Sequence, residues 1–149
     1  MGYDISLVRG KSKAKLNGKL NDVPLGGQFA LGNPERQLLE DDLNFYVTYN
    51  YAWYLYQTLD SKQGLRVIYG KKGKDAIKIL EKALPKLDKM IAKEKKTKKV
   101  LSETWGAGKD YDDNSTDYWA VSAKNAKKAV EGLIALAKLA PYFTFTGDE

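Results

Sequence analysis

The chain contains no cysteine and no histidine. Without cysteine there is no disulfide framework and no thiolate nucleophile or metal ligand. Without histidine the commonest general base and the commonest nitrogen ligand are missing as well, so a zinc site would have to be built from carboxylates alone. Arginine is scarce, with only Arg9, Arg36 and Arg66, so bidentate recognition of phosphate or guanine has few residues to draw on. No apolar run approaches the roughly 18 residues that span a bilayer. The opening residues, Met1 to Ile5, lack the basic and apolar regions of a signal peptide and are expected to form a strand. A Ser–Lys pair, a carboxylate pair or a tyrosine could still serve catalysis, but nothing in the chain selects one, and the expectation is no enzyme, no metal, no cofactor and no membrane partner.

Aromatic side chains and segregated charge are what the chain does have. Seven of the twelve residues from Phe45 to Tyr56 are aromatic, five of them tyrosine. Such a stretch builds a core, an interface or a stacking platform. Tyr46, Tyr51 and Tyr54 are the candidate partner anchors within it, provided they are exposed. The net charge is +6 over 149 residues. Residues 71–99 carry twelve lysines against four acids, whereas residues 100–118 carry one lysine against five acids. Residues 35–62 are also acidic. The basic arm either attracts an acidic partner or is neutralised by these flanks within the fold. Lys93, Lys95, Lys96, Lys98 and Lys99 form its densest cluster. They suit non-specific phosphate contact, although cations at a helix C-terminus also have a purely structural explanation.

One domain of mixed architecture is expected, spanning residues 1–149. Its strand-rich part is 1–49, and its mainly helical part is 50–149 with a charged loop over 93–117. Tyr3–Val8, Lys13–Leu20 and Gln28–Leu31 read as strands, with a turn at Gly10–Ser12. Leu43 to Tyr49 alternates with period two, and its β-branched and aromatic content favours a strand, although Phe45, Tyr49, Trp53, Tyr56 and Leu59 also make a helical stripe. A helix is expected from Asn50 or Tyr51 to about Ser61, with Asn50 as N-cap and Trp53, Tyr56 and Leu59 on its buried side. Gly64 to Gly70 is a short apolar connector. A second helix follows, with Ala76, Ile77, Leu80, Ala83, Leu84, Leu87, Met90 and Ile91 on its apolar stripe. Pro85 should kink or interrupt it. The last helix runs from about Ser122, an N-cap, to Ala140, stopped by Pro141. Phe143–Phe145 adds a final strand. The fold class is α+β, an N-terminal antiparallel sheet packed against about three α-helices.

Two motif-like stretches fall short of their patterns. Gly70-Lys71-Lys72-Gly73-Lys74 has two residues between its glycines where a phosphate loop needs four, so it reads as a basic loop leading into a helix. Asp110, Asp112 and Asn114 have the spacing of a calcium loop, but Ser115 stands where glycine is required and Val121 where the bidentate glutamate belongs. A solvated acidic loop is the expectation there.

Leu43-Asn44-Phe45-Tyr46-Val47-Thr48-Tyr49-Asn50-Tyr51, then Gly64-Leu65-Arg66-Val67-Ile68-Tyr69-Gly70, Gly73 to Ile77, Asp117-Tyr118-Trp119, Asn125-Ala126 and Gly147-Asp148 occur in succession. This order resembles a family of small, uncharacterised proteins encoded by bacterial viruses and prophages. The resemblance covers about residues 43–148. The segment from about Lys86 to Thr116 is longer here than in the family pattern, and Ser122 stands where the pattern has threonine. The resemblance implies a viral or prophage origin and a bacterial cytoplasm, but no activity. The leading expectation is a non-enzymatic protein that binds a host protein, as an inhibitor of antiviral defence such as an anti-CRISPR protein does. The alternatives are a nucleic-acid-binding accessory protein using the lysine-rich helix end, a sponge holding a nucleotide signal between aromatic rings, Arg66 and Lys71, and a homo-oligomeric assembly protein.

Overall fold

A computed structural model describes residues 2–9, 42–104, 109–115, 117 and 119–147. Among these are three strands, β1 (Gly2–Val8), β2 (Asp42–Thr48) and β3 (Thr144–Gly147), and three α-helices, α1 (Ala52–Thr58), α2 (Gly73–Thr97) and α3 (Ala123–Leu139). The architecture is α+β. The sheet is antiparallel with order β2-β1-β3. Ile5 faces Phe45 across one ladder, and Leu7 faces Leu43 on one side and Phe145 on the other. Period-two alternation puts Tyr3, Ile5, Leu7, Leu43, Phe45, Val47 and Phe145 on one buried face, while Asp4, Asn44 and Thr146 point to solvent. The expected strands at Lys13–Leu20 and Gln28–Leu31 lie outside the described residues.

The sheet's buried face meets α3. The fit is close at Gly132, where a Cβ would stand 2.7 Å from the Phe45 ring. Ser122 caps α3, its Oγ accepting from the Asn125 amide at 3.1 Å. Helix α2 packs along α3 in the opposite direction. At one end Gly73 is pressed against the carbonyls of Ala140 and Ala137, and at the other Glu94 reaches Ala123. Pro85 does not interrupt α2, contrary to expectation. It lies on the exposed side together with Glu81, whose carbonyl loses its helical donor to the proline, so water can take that donor's place.

Strand β2 stops at Thr48, one residue earlier than the alternation suggests, and Tyr49–Tyr51 forms a 3₁₀ turn before α1. Thr48 caps that turn, its Oγ1 accepting from the Asn50 amide at 3.2 Å. Asn50 is not the cap; its side chain instead donates to the Trp119 carbonyl at 2.9 Å. The tight turn shifts the phase of α1. Tyr51, Tyr54, Leu55 and Thr58 are buried, whereas Trp53, Tyr56 and Leu59 are only partly so. Helix α1 also ends at Thr58 rather than near Ser61. The connector that follows is a 3₁₀ segment, Gly64–Ile68. It is bracketed by Gly64 and Gly70, whose φ angles of 57° and 83° explain the two glycines. Phe145 bonds to the chain that leaves this turn, its amide donating to the Lys71 carbonyl and its carbonyl accepting from the Gly70 amide. No helix among the described residues is long and apolar enough to cross a membrane.

Candidate functional site

Two of the three candidate tyrosine anchors are core residues. Tyr51 and Tyr54 are both 0% exposed, and Tyr46 is half-buried on the opposite face of β2. Burial removes the exposure that an anchoring role for Tyr51 and Tyr54 requires. Tyr54 holds a buried polar network instead. Its hydroxyl donates to Glu94 Oε2 at 2.5 Å and accepts from the Ser102 amide at 3.3 Å. Glu94 Oε2 also accepts from the Leu101 amide, and Oε1 accepts from the Ala123 amide, each at 2.9 Å. Ala123 is the first residue of α3, where the helix dipole favours an anion. One carboxylate therefore ties α1, the end of α2, the chain after α2 and the start of α3 together. Burial, and then the bond to Glu94, raise the Tyr54 hydroxyl far above the usual phenol range.

The lysine cluster straddles the end of α2. The helix stops at Thr97, and Lys98 takes a left-handed conformation with its amide bonded to the Glu94 carbonyl. The chain then returns beside itself, with Val100 donating to Lys109 and Tyr111 donating to Lys98. This brings the acidic segment against part of the cluster. Lys99 Nζ lies 2.5 Å from Asp110 Oδ1, and Lys95 Nζ 3.7 Å from Asp113 Oδ1. The bond from Lys99 holds the Asp110 carboxyl below the ordinary carboxylate range. The Tyr111 hydroxyl, then Lys95, does the same for Asp113. Lys93, Lys96 and Lys98 are exposed and make no ion pair among the described residues. A small cleft of about 70 Å³ lies beside this segment, lined by Tyr111, Asp112, Ser115, Ser122 and Asn125 among others.

A longer feature emerges once α2 is continuous. Lys74, Lys78, Lys82, Lys86, Lys89, Lys93 and Lys96 follow one another at three- and four-residue steps, and all are exposed. At about 100° per residue they fall within an arc of roughly 120°, opposite the buried stripe of Ala76, Leu80, Ala83 and Leu87. The other charges of α2 mostly lie elsewhere. Asp88 pairs with Lys127 at 2.7 Å and Glu81 with Lys138 at 3.9 Å, both on α3, and Glu94 is buried. Asp75, in the first turn, is the one acid inside the arc. Lys74 also lies 5.6 Å from the ring of Tyr142, which is 53% exposed. Of the clustered lysines, only Lys93 and Lys96 belong to this row. The recurring lysine spacing is the signal in the sequence; treating Pro85 as a break hides it.

The remaining motif-like residues are engaged internally. In the Gly70–Lys74 stretch the Gly70, Gly73 and Lys74 amides donate to Phe145, Phe143 and Pro141 carbonyls, so the cradle of free amides that a phosphate loop offers is absent there. Asp112 accepts from the Asn114 amide, closing a turn. Arg66 lies 5.0 Å above the Tyr3 ring and 5.9 Å from that of Tyr49, and donates to the Tyr49 hydroxyl at 3.3 Å. The aromatic face available to a base beside Arg66 is thus occupied by Arg66 itself. Several of the segments quoted in succession in the sequence also converge on one another. Asn50 bonds the Trp119 carbonyl, Asn125 bonds the Asp117 and Ala120 carbonyls, and Gly147 lies directly against the Tyr69 ring. These patterned positions hold chain segments together. No group of three or more acidic side chains suited to a metal ion occurs among the described residues.

What the arrangement offers chemically is a row of ammonium groups on one continuous helix, with an acidic segment near one end. Compared with known protein families, curated proteins and solved structures, the chain matches none of them.

Proposed function

We propose that this is a non-enzymatic binding protein whose working surface is the lysine face of α2 and whose partner is the phosphate backbone of nucleic acid. The supporting observation is the row from Lys74 to Lys96, exposed throughout, while Glu81, Asp88 and Glu94 are directed to α3 or buried. Ammonium groups fixed on one side of a helix release counterions when they meet phosphates, and this drives binding without base recognition. The test is titration of mixed-sequence nucleic acid with the intact protein at rising salt. The logarithm of the binding constant should fall linearly with the logarithm of salt concentration; binding that ignores salt removes the proposal.

A second reading is supported by Trp119, which is 46% exposed, since tryptophan is enriched among the residues that dominate protein interfaces. Together with the resemblance to viral proteins, it points to a host protein in the bacterial cytoplasm, such as a defence effector. Retention of one stoichiometric protein from nuclease-treated lysate, lost on Trp119→Ala, would favour this reading over the first.

A further inference from the structure

We infer that the lysine face selects double-stranded over single-stranded nucleic acid, without regard to sequence; this rests on the nucleic-acid reading above. The row from Lys74 to Lys96 is part of one uninterrupted helix. At about 1.5 Å per residue its charges extend over roughly 33 Å, close to the ~34 Å of one turn of duplex DNA. A duplex is stiff over about 150 base pairs and presents phosphates at fixed positions, about one per 1.7 Å of axis. A continuous helix carrying such a row meets this lattice with both backbones already ordered, so only the lysine side chains lose freedom.

A single strand is flexible, and its binders offset the cost of ordering it by stacking bases on exposed aromatic rings. Helix α2 contains no aromatic residue. Tyr142 lies at one end of the row, already engaged with Lys74, and a single ring cannot track successive bases. Sequence independence has a separate cause. Helix α2 contains no arginine, asparagine or glutamine, so the planar side chains that read guanine or adenine edges with fixed two-point geometry are missing. Lysine contributes a point charge instead.

The experiment uses the intact protein and a fluorescent mixed-sequence duplex of about 20 base pairs, two helical turns. The arms are its separated single strand and a polyglutamate competitor. A triple variant, Lys82→Glu with Lys86→Glu and Lys89→Glu, removes the centre of the row. A charge-matched control, Lys62→Glu with Lys109→Glu and Lys128→Glu, changes lysines off the row that make no ion pair among the described residues. Circular dichroism checks that both variants fold. The expected result is duplex binding on the order of tenfold or more tighter than single-strand binding, with a log–log salt slope of about −4 to −6. The row variant should lose most of this affinity and the control should keep it. Equal or tighter single-strand binding that still depends on the row would overturn the duplex inference and leave the nucleic-acid reading standing. Competition by polyglutamate at charge concentrations equal to those of the duplex would also overturn the inference, showing an acidic-protein surface. No binding of either strand form at low salt, or equal loss in both variants, would overturn the inference and the reading together.

Discussion

The Tyr54 hydroxyl donates to Glu94 Oε2 at 2.5 Å, and both residues are fully enclosed. Among the described residues no cation shares that carboxylate, and the Leu101 and Ala123 amides also donate to it. Tyr54→Phe removes one charge-assisted bond and should cost about 1.5–3 kcal/mol. Glu94→Gln should cost more, about 3 kcal/mol or above, because an amide has one oxygen where three donors converge on two. Urea unfolding of the two variants checks both the direction and the order. A Glu94→Gln variant as stable as the parent would show that the network adds nothing.

Alkali should act through the same hydroxyl. The folded protein holds Tyr54 protonated well above the unfolded value of about 10. Tyr111 is raised too, by burial and then by its bond to Asp113. A raised value means that this contribution to stability is complete below about pH 10 and is lost as pH rises further, when the unfolded chain sheds the protons first. Tyrosinate absorbance should therefore climb in two stages, with the last tyrosines ionising only as helical circular dichroism collapses. Tyr54→Phe should shrink the second stage.

Two glycines should respond differently to alanine. Gly132→Ala gains roughly 1 kcal/mol of helix propensity, but its Cβ would stand 2.7 Å from the Phe45 ring. Overpacking of about 1–3 kcal/mol should win, and Phe45→Leu in the same chain should restore part of the loss. At Gly73 the obstacle is backbone, the Ala140 carbonyl at 2.6 Å. No side-chain trimming can relieve it, so Gly73→Ala should resist rescue. Melting temperatures of the two single variants and the Gly132→Ala/Phe45→Leu double variant decide the matter.

Asp110 and Asp113 neutralise Lys99 and Lys95 at the surface. Exposed pairs of this kind contribute little to stability. Asp110→Asn with Asp113→Asn should leave the urea midpoint almost unchanged, yet strengthen duplex binding a few-fold at low salt by freeing two cations. Both carboxyls sit below their ordinary range. Their contribution is complete above that range and is lost as pH falls below about 4, so the protection of the parent's loop at 109–115, measured relative to intrinsic amide exchange, should drop in acid while the variant's protection stays flat.

Local pattern made much of this structure legible. Alternation in Tyr3–Val8 and Leu43–Thr48 and the three-and-four spacing of α2 and α3 are direct records of which side chains must leave water. Ser122 announces its helix because a hydroxyl at that position satisfies an amide a few residues away. The phase of α1 was not legible, because a single 3₁₀ turn at Tyr49–Tyr51 rotates every later residue and puts Tyr51 and Tyr54 fully inside while Tyr56 is only partly buried. Glu94 left one trace, a charge placed where the apolar stripe of α2 calls for a hydrophobe, but its three partners are 7, 29 and 40 residues away.

The amino-acid sequence by itself determined the α+β class, the principal helices and the surplus of lysine, since these depend on neighbours within a few residues. Only the tertiary structure decided that β3 completes the sheet beside β1, that Tyr54 faces a buried carboxylate rather than a partner, and that the acidic segment pairs with Lys95 and Lys99 beside the end of the lysine row. Each of those outcomes depends on contacts between residues far apart in the chain, and local periodicity carries no information about which distant surface a side chain will meet.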